Sequence, residues 1–337
     1  MTFLILGVAL LVILVGAEAF TNALEHLGGR LKISEGVTGS IFAAVGTAMP
    51  ETMVPIVAIL SDAGTAQVRE EVGVGAILGA PLMLSTLALV LMALFAAPKR
   101  GWRDTLRPEH SGLKRDLSWF LFAFGLSAAA IFVPHGLTGL RHAIALALVA
   151  TYFLYVLLTV RASARLVRAG HATEADHALY LLRPFGRGAR HPAMAFILLQ
   201  LGLGFALIFF GAHAFVDGVE DLSALLGMSA LVLSLLIIPV ATELPEKVNS
   251  VLWIRRRRDT LAFGNITGAM VFQGSLLPAI GITLTPWEPR AEVLWVIALT
   301  LLASAYLYVL ARRGTLRPYH LLFNGACYLA YVAIIAV

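Results

Sequence analysis

The chain has 337 residues, 59% of them hydrophobic and only 13% charged, against roughly 25% charged residues in a soluble domain. This excludes a soluble fold of that size with a water-covered surface. The net charge of +5 invites a nucleic-acid partner, but the placement of the basic residues, below, points to membrane topology instead; the single cysteine, Cys327, lies in an apolar run and excludes an internal disulfide framework.

The apolar residues come in runs of about twenty, the length that crosses a bilayer as a helix. Residues 3–17 open the first run and lead into Ala17-Glu18-Ala19, which has the look of a signal-peptidase site. There is no basic segment before it, and a repeat described below reuses the stretch, so it is read as a retained first span. Ten spans follow in chain order: 1–24, 35–60, 71–97, 116–134, 142–160, 192–216, 228–254, 259–283, 291–311 and 318–337. The longest polar connection, 161–191, divides the chain nearly in half. It separates a first repeat at 1–160 from a second at 192–337, and it is too short for a folded regulatory domain of ordinary size.

Lysine and arginine are distributed unevenly over the connections. Those after spans 1, 3, 5, 7 and 9 carry 2, 6, 6, 4 and 3 of them, whereas the other side has only Arg69, Arg141 and Arg290. Lys247 lies within a span. Basic residues are retained on the cytoplasmic side, so both termini are expected outside, in a multi-pass protein of the plasma (inner) membrane. The run Arg255-Arg256-Arg257-Arg258 reads as a stop signal beside a helix end, and no nucleic-acid partner is expected.

Residues 16–51 align without a gap on 211–246, with 13 identities in 36 positions. They include Gly16/Gly211, Ser34/Ser229, Thr47/Thr242, Pro50/Pro245 and Glu51/Glu246. Apolar bias accounts for some matches but not for threonine, proline and glutamate in register. The likeness resumes at Gly75/Gly264 and Gly79/Gly268. Five spans separate the copies, an odd number, so the second copy enters the membrane from the opposite side. The expected fold is an all-α integral membrane protein of ten transmembrane helices in two inverted five-helix repeats. Secondary transporters are commonly built this way, with the substrate site near the midplane.

Within spans 2 and 7 lie Gly46-Thr47-Ala48-Met49-Pro50-Glu51 and Ala241-Thr242-Glu243-Leu244-Pro245-Glu246. Proline inside a helix removes a backbone donor, and in lipid such a break is tolerated only against protein or a wet cavity. The freed carbonyls, a threonine hydroxyl and a carboxylate form a set of hard oxygens suited to hard cations. Glutamates near mid-bilayer are costly, so the symmetric pair Glu51 and Glu246 points to a shared metal-ion site. Spans 3 and 8 add Gly75-Ala76-Ile77-Leu78-Gly79-Ala80 and Gly264-Asn265-Ile266-Thr267-Gly268-Ala269; glycines four apart are mainly a packing signal.

With these motifs the chain resembles the calcium/cation antiporter family, which has the sodium/calcium exchanger fold. The resemblance rests on Gly16-Ala17-Glu18, on the Thr-x-x-Pro-Glu segments ending at Glu51 and Glu246, and on the glycine-rich helices of spans 3 and 8. It implies a cation antiporter, with Glu51 and Glu246 as central ligands, Thr47 and Thr242 assisting, and spans 1 and 6 sliding to alternate access. Where the family carries further oxygens this chain has Ala48, Ala76, Ala80, Leu84 and Ala269, while Gln273 stands at a ligand position and Glu243 is an added carboxylate. Glu51, Glu243 and Glu246 together resist full ionisation without a cation, which sets cation and protons in competition; sodium could take the place of protons. Glu18 and His213, equivalent residues of spans 1 and 6, are a candidate pair for proton coupling. The expected partners are inorganic cations, protons and the bilayer. No cofactor is expected, only a transported cation such as Ca2+ or Na+ bound transiently. Alternatives are a member with lost or repurposed transport, a channel, or an intramembrane enzyme. The enzyme is disfavoured because no HExxH-like or Ser/His constellation is found. The ion, counter-ion, stoichiometry and oligomeric state have no sequence signal.

Overall fold

The computed structural model describes residues 2–30, 49–60, 65–167, 178–185 and 192–335. Among them the chain is helical, with no strand. The helices are α1 (Thr2–Arg30), α2 (Met49–Leu60), α3 (Ala66–Met83), α4 (Leu89–Arg100), α5 (His110–Ala130), α6 (Thr138–Val167), α7 (Met194–Leu226), α8 (Ala230–Thr242), α9 (Leu244–Arg255), α10 (Asp259–Gln273), α11 (Leu276–Leu284), α12 (Ala291–Arg313) and α13 (Leu321–Ile335). Seven described stretches are long and apolar enough to cross a membrane, with α3 and α4 counted as one and α10 and α11 as one. Of the span expected at 35–60 only Met49–Leu60 (α2) lies within the described residues, and the other two expected spans correspond to α5 and to the pair α8 and α9. The span expected at 228–254 is therefore two helices, because the chain breaks at Glu243.

The chain forms two compact units, each drawing on both halves of the sequence: 1–64 with 154–226, and 65–153 with 227–337. In the first unit α1 and α7 pack along their lengths. Leu6, Ala9, Ile13 and Gly16 of α1 meet Gly218, Gly211 and Gly204 of α7. The α1 positions recur every three and four residues and the α7 glycines every seven, the seam of a left-handed helix pair. Gly218 lies against Leu6, Gly211 against Ile13 and Gly204 against Gly16, so the two helices are antiparallel. They are the equivalent first helices of the two repeats, and their opposition is the inverted topology made visible. A polar clamp closes one end of the seam. Gln200 of α7 donates to the Ala19 carbonyl (2.8 Å) and to Asn22 Oδ1 (2.9 Å), and its own Oε1 accepts from the Leu181 amide (2.9 Å). The short 3₁₀ turn Tyr180–Phe185 is thereby pinned over α1.

In the second unit the Gly75-x-x-x-Gly79 motif of α3 faces α8. A Cβ added at Gly79 would fall 2.6 Å from both the Leu235 carbonyl oxygen and Pro239 Cγ. Glu71 anchors the start of this pair: its carboxylate accepts from Arg290 (2.7 Å) and from the Leu231 amide in the first turn of α8 (3.3 Å), where a negative charge complements the helix dipole. Between α3 and α4 the helix widens into a π segment over Leu84–Ala88. The hydroxyls of Ser85 and Thr86 turn back onto the Leu82 carbonyl, and the carbonyl of Ser85 accepts from Asn324 Nδ2 (2.8 Å). At the head of α10, Asp259 accepts from Arg100 (2.9 Å) and from the Arg107 amide (2.7 Å), which ties the 101–109 connection to that helix.

Two measurements check this packing. A leucine side chain at Gly204 would meet the α1 backbone, since a Cβ there lies 2.9 Å from the Phe20 amide nitrogen; overpacking of this kind costs about 1–3 kcal/mol. Gly204→Leu should lower the thermal midpoint in detergent, whereas Gly202→Leu, whose Cβ points into open space, should not. At the start of α5 the exposed Glu109 accepts from the Ser111 hydroxyl (2.6 Å) and from the Ser111 amide (2.8 Å). The Ser111 hydroxyl, with the Ser111 and Gly112 amides, holds the Glu109 carboxyl below the usual glutamate range. A lowered folded-state value means that the cap stabilises at neutral pH and is lost as pH falls through that value. Glu109→Ala should therefore cost about 0.5 kcal/mol, the low end for a cap because the site is exposed, at pH 7 and little in acid, as read by unfolding at the two pH values.

Candidate cation-binding site

The site residues of the second unit are set out by the break between α8 and α9. Pro245 has no amide hydrogen, so the Ala241 carbonyl loses the donor that a continuous helix would supply. The chain turns at Glu243 (φ −83°, ψ 5°) and α9 starts at Leu244. The turn is held by the Glu243 amide donating to Pro239 O (3.2 Å) and the Lys247 amide to Glu243 O (3.1 Å). The Thr242 hydroxyl donates back to the Ile238 carbonyl (3.2 Å), leaving its oxygen lone pairs near the break.

Three polar side chains converge on this turn. Glu243 is fully buried and Glu246 is 6% exposed, and carboxylate oxygens of the two lie within 4.8 Å of one another. Gln273, near the end of α10, donates through Nε2 to Glu243 Oε1. Among the described residues, Glu243 Oε2, Glu246 Oε2 and Gln273 Oε1 are buried with no hydrogen-bond partner. Buried oxygens left in this state cost free energy unless something else satisfies them. Asn265 of α10 fixes the back of α9: its Nδ2 donates to the Glu246 carbonyl (3.0 Å) and to Ser250 Oγ (3.0 Å).

The first unit holds its own buried carboxylate. Glu51 is 4% exposed and is the third residue of α2, directly after Pro50, as Glu246 is the third residue of α9 directly after Pro245. Thr47 lies outside the described residues. Glu18 is exposed and accepts from the Tyr180 hydroxyl (2.6 Å), and His213 packs against the Phe209 ring at 5.0 Å. The structure therefore brings Thr242, Glu243, Glu246 and Gln273 together in one unit and sets Glu18 and His213 on the antiparallel pair of the other.

One residue of this region has no role in the sequence reading. Lys247 is 5% exposed, and its Nζ donates to the carbonyls of Pro239 (2.9 Å) and Val240 (3.5 Å). The available signal was a lysine inside an apolar span, four residues after a glutamate.

Comparison with known proteins bears on this geometry. The family model for sodium/calcium exchanger protein matches residues 1–161 and 196–337. The chain belongs to the sodium/calcium exchanger protein family. It is a cation antiporter of that family. It is 24% identical over 284 residues to inner membrane protein YrbG of Escherichia coli strain K12, covering 84% of this chain and 80% of the relative. It is 26% identical over 285 residues to the putative antiporter CaxA of Alkalimonas amylolytica, with the same coverage. Among solved structures, the H+/Ca2+ exchanger CAX matches with a TM-score of 0.71 at 15% identity, covering all of this chain and 82% of that one. The sodium–calcium exchanger NCX_Mj, soaked with Na+ and Sr2+, matches with a TM-score of 0.59 at 19% identity over 99% of each chain. These likenesses carry the fold, with its inverted repeats.

The Gln273 contact generates a testable expectation. Gln273→Leu strips a donor from a fully buried carboxylate and should destabilise the protein by roughly 1–3 kcal/mol, measured as thermal unfolding in detergent. On a Glu243→Gln background the same change should cost much less. Equal losses on the two backgrounds would show that the contact carries no energy.

Proposed function

We propose that this antiporter binds its cation midway along the spans, with Glu51 and Glu246 as central ligands and Thr47, Thr242, Glu243 and Gln273 completing the site. The observation that carries the reading is the matched pair of buried carboxylates, each directly after a proline at equivalent positions of the repeat, in halves of opposite direction. A helix N-terminus supplies only about half a positive charge. A carboxylate near mid-bilayer costs at least a few kcal/mol, so a mobile cation is the natural remaining partner. The donors are hard oxygens, which suit calcium or sodium.

Exchange then follows from exclusion. A cation and protons, or a cation and sodium ions, compete for the same carboxylates, and a fully charged empty site resists crossing the membrane. The named activities of the structural relatives, H+/Ca2+ and sodium–calcium exchange, support both counter-ions. Access alternates by sliding of α1 and α7, whose glycine-lined seam offers a smooth surface. Glu18 and His213, one on each of these helices, are proposed as a proton-coupling pair. The repeats occupy 1–160 and 192–337, the connection 161–191 lies on the cytoplasmic side, and both termini lie outside. The inside-positive charge bias and the inner-membrane relative support placement in the plasma membrane, as a transporter rather than an enzyme.

The test is counter-ion-driven uptake in proteoliposomes, with calcium, sodium, potassium and manganese each run against outward proton or sodium gradients. One cation should accumulate. Glu51→Gln and Glu246→Gln should each cut its initial rate by roughly a factor of 100, because removing one charged partner of a buried pair costs about 3–5 kcal/mol. Glu243→Gln should change the pH dependence of uptake, and flux that persists without a gradient would indicate a channel. Undiminished, gradient-coupled uptake by both central variants would reject this site.

A further inference from the structure

We propose that the Lys247 ammonium is a resident cation of the site in the second unit: it fills a cation position that a transported ion would otherwise take. The inference rests on the reading that Glu246 and its neighbours form the transport site.

Four observations carry it. First, the ammonium is buried and seated on oxygens rather than drawn out toward water: Nζ lies 2.9 Å from the Pro239 carbonyl and 3.5 Å from that of Val240. Second, these carbonyls belong to the last turn of α8, beside the break at Glu243, and the Pro239 oxygen takes the ammonium in addition to the Glu243 amide (3.2 Å). Carbonyls of this kind, beside two carboxylates, are ordinary ligands of a small cation, and here a chain-borne cation occupies them. Third, an uncompensated buried ammonium is as costly as an uncompensated carboxylate, and Lys247 directly follows the buried Glu246 and stands four residues after the buried Glu243.

The fourth observation is the repeat itself. At its offset of 195, Lys247 corresponds to Thr52 and Glu243 to Ala48. Relative to the first repeat, the second has gained one negative and one positive residue, four positions apart in the chain. The added carboxylate and ammonium cancel. The second half-site keeps the net charge of the first, that of a single glutamate, with one of its cation positions occupied by the chain. Such a site binds one fewer mobile cation than a site with the same carboxylates and no lysine.

The experiment compares wild type, Lys247→Thr (the residue of the first repeat) and the double variant Glu243→Gln/Lys247→Thr, as purified full-length protein and in proteoliposomes. The thermal midpoint is titrated with sodium chloride against choline chloride, and exchange is measured against sodium concentration. Lys247→Thr should gain a sodium-dependent rise in midpoint that wild type lacks, and the Hill slope of exchange for sodium should increase by about one, since that slope is bounded by the number of sites. The double variant should return both readouts to wild type. If Lys247→Thr does not fold in choline, sodium or the Glu243→Gln change should restore it; a protein that neither restores owes its fold to the lysine's packing, and the proposal fails. An unchanged slope with no added sodium response, in a protein whose exchange still depends on Glu246, also overturns it. Wild-type protein without any Glu246-dependent exchange would defeat the transport-site reading instead, a result distinct from either outcome at Lys247.

Discussion

Charge and backbone polarity that enter an apolar, lipid-facing set of helices must be balanced by the chain itself, and the architecture follows from how each imbalance is met. The break between α8 and α9 is the sharpest case. Pro245 removes the donor for the Ala241 carbonyl, the chain turns at Glu243, and Lys247 reaches back to the carbonyls of Pro239 and Val240. The helices around the turn are placed accordingly. Gly79 lets α3 approach Pro239 closely, and Asn265 ties α10 to the back of α9.

The same rule governs the ends of the helices. Arg100 with Asp259, and Arg290 with Glu71, are pairs in which a carboxylate also serves backbone amides. Arg141 is buried and donates to the carbonyls of Ile282, Thr285 and Pro286 at the end of α11. The π segment Leu84–Ala88 is stabilised in the same manner, by hydroxyls and by Asn324. That segment begins at Leu84, where the exchanger resemblance leads one to look for a polar ligand. In this chain the irregular backbone persists there while its polar groups are satisfied by neighbouring helices. The two units also differ in kind: α1 and α7 meet over small residues and are clamped at one end by Gln200, whereas the second unit is cross-tied by ion pairs.

The span pattern, the repeat and the carboxylates at positions 51 and 246 were legible because each leaves a linear mark: apolar length, a constant offset, a proline–glutamate step. Glu243 was legible too, as a charged residue out of register with its repeat. The division of span 7 was not, because hydropathy averages over many residues while the missing hydrogen of Pro245 acts at one point. Glu18 was legible as the repeat equivalent of His213, but not its exposure or its bond to Tyr180, a residue 162 positions away. Lys247 was visible as a buried charge without a stated role, since its partners are main-chain carbonyls and every residue has one.

Sequence by itself determined that this chain crosses the membrane repeatedly, that its halves are inverted copies and that it belongs among cation exchangers, because hydrophobic length and internal register are properties of residue order. Tertiary structure alone decided which oxygens a lysine covers, which glycines carry a helix seam, and which carboxylates share an enclosure. Those outcomes depend on distances of a few ångströms between atoms that residue order does not bring together.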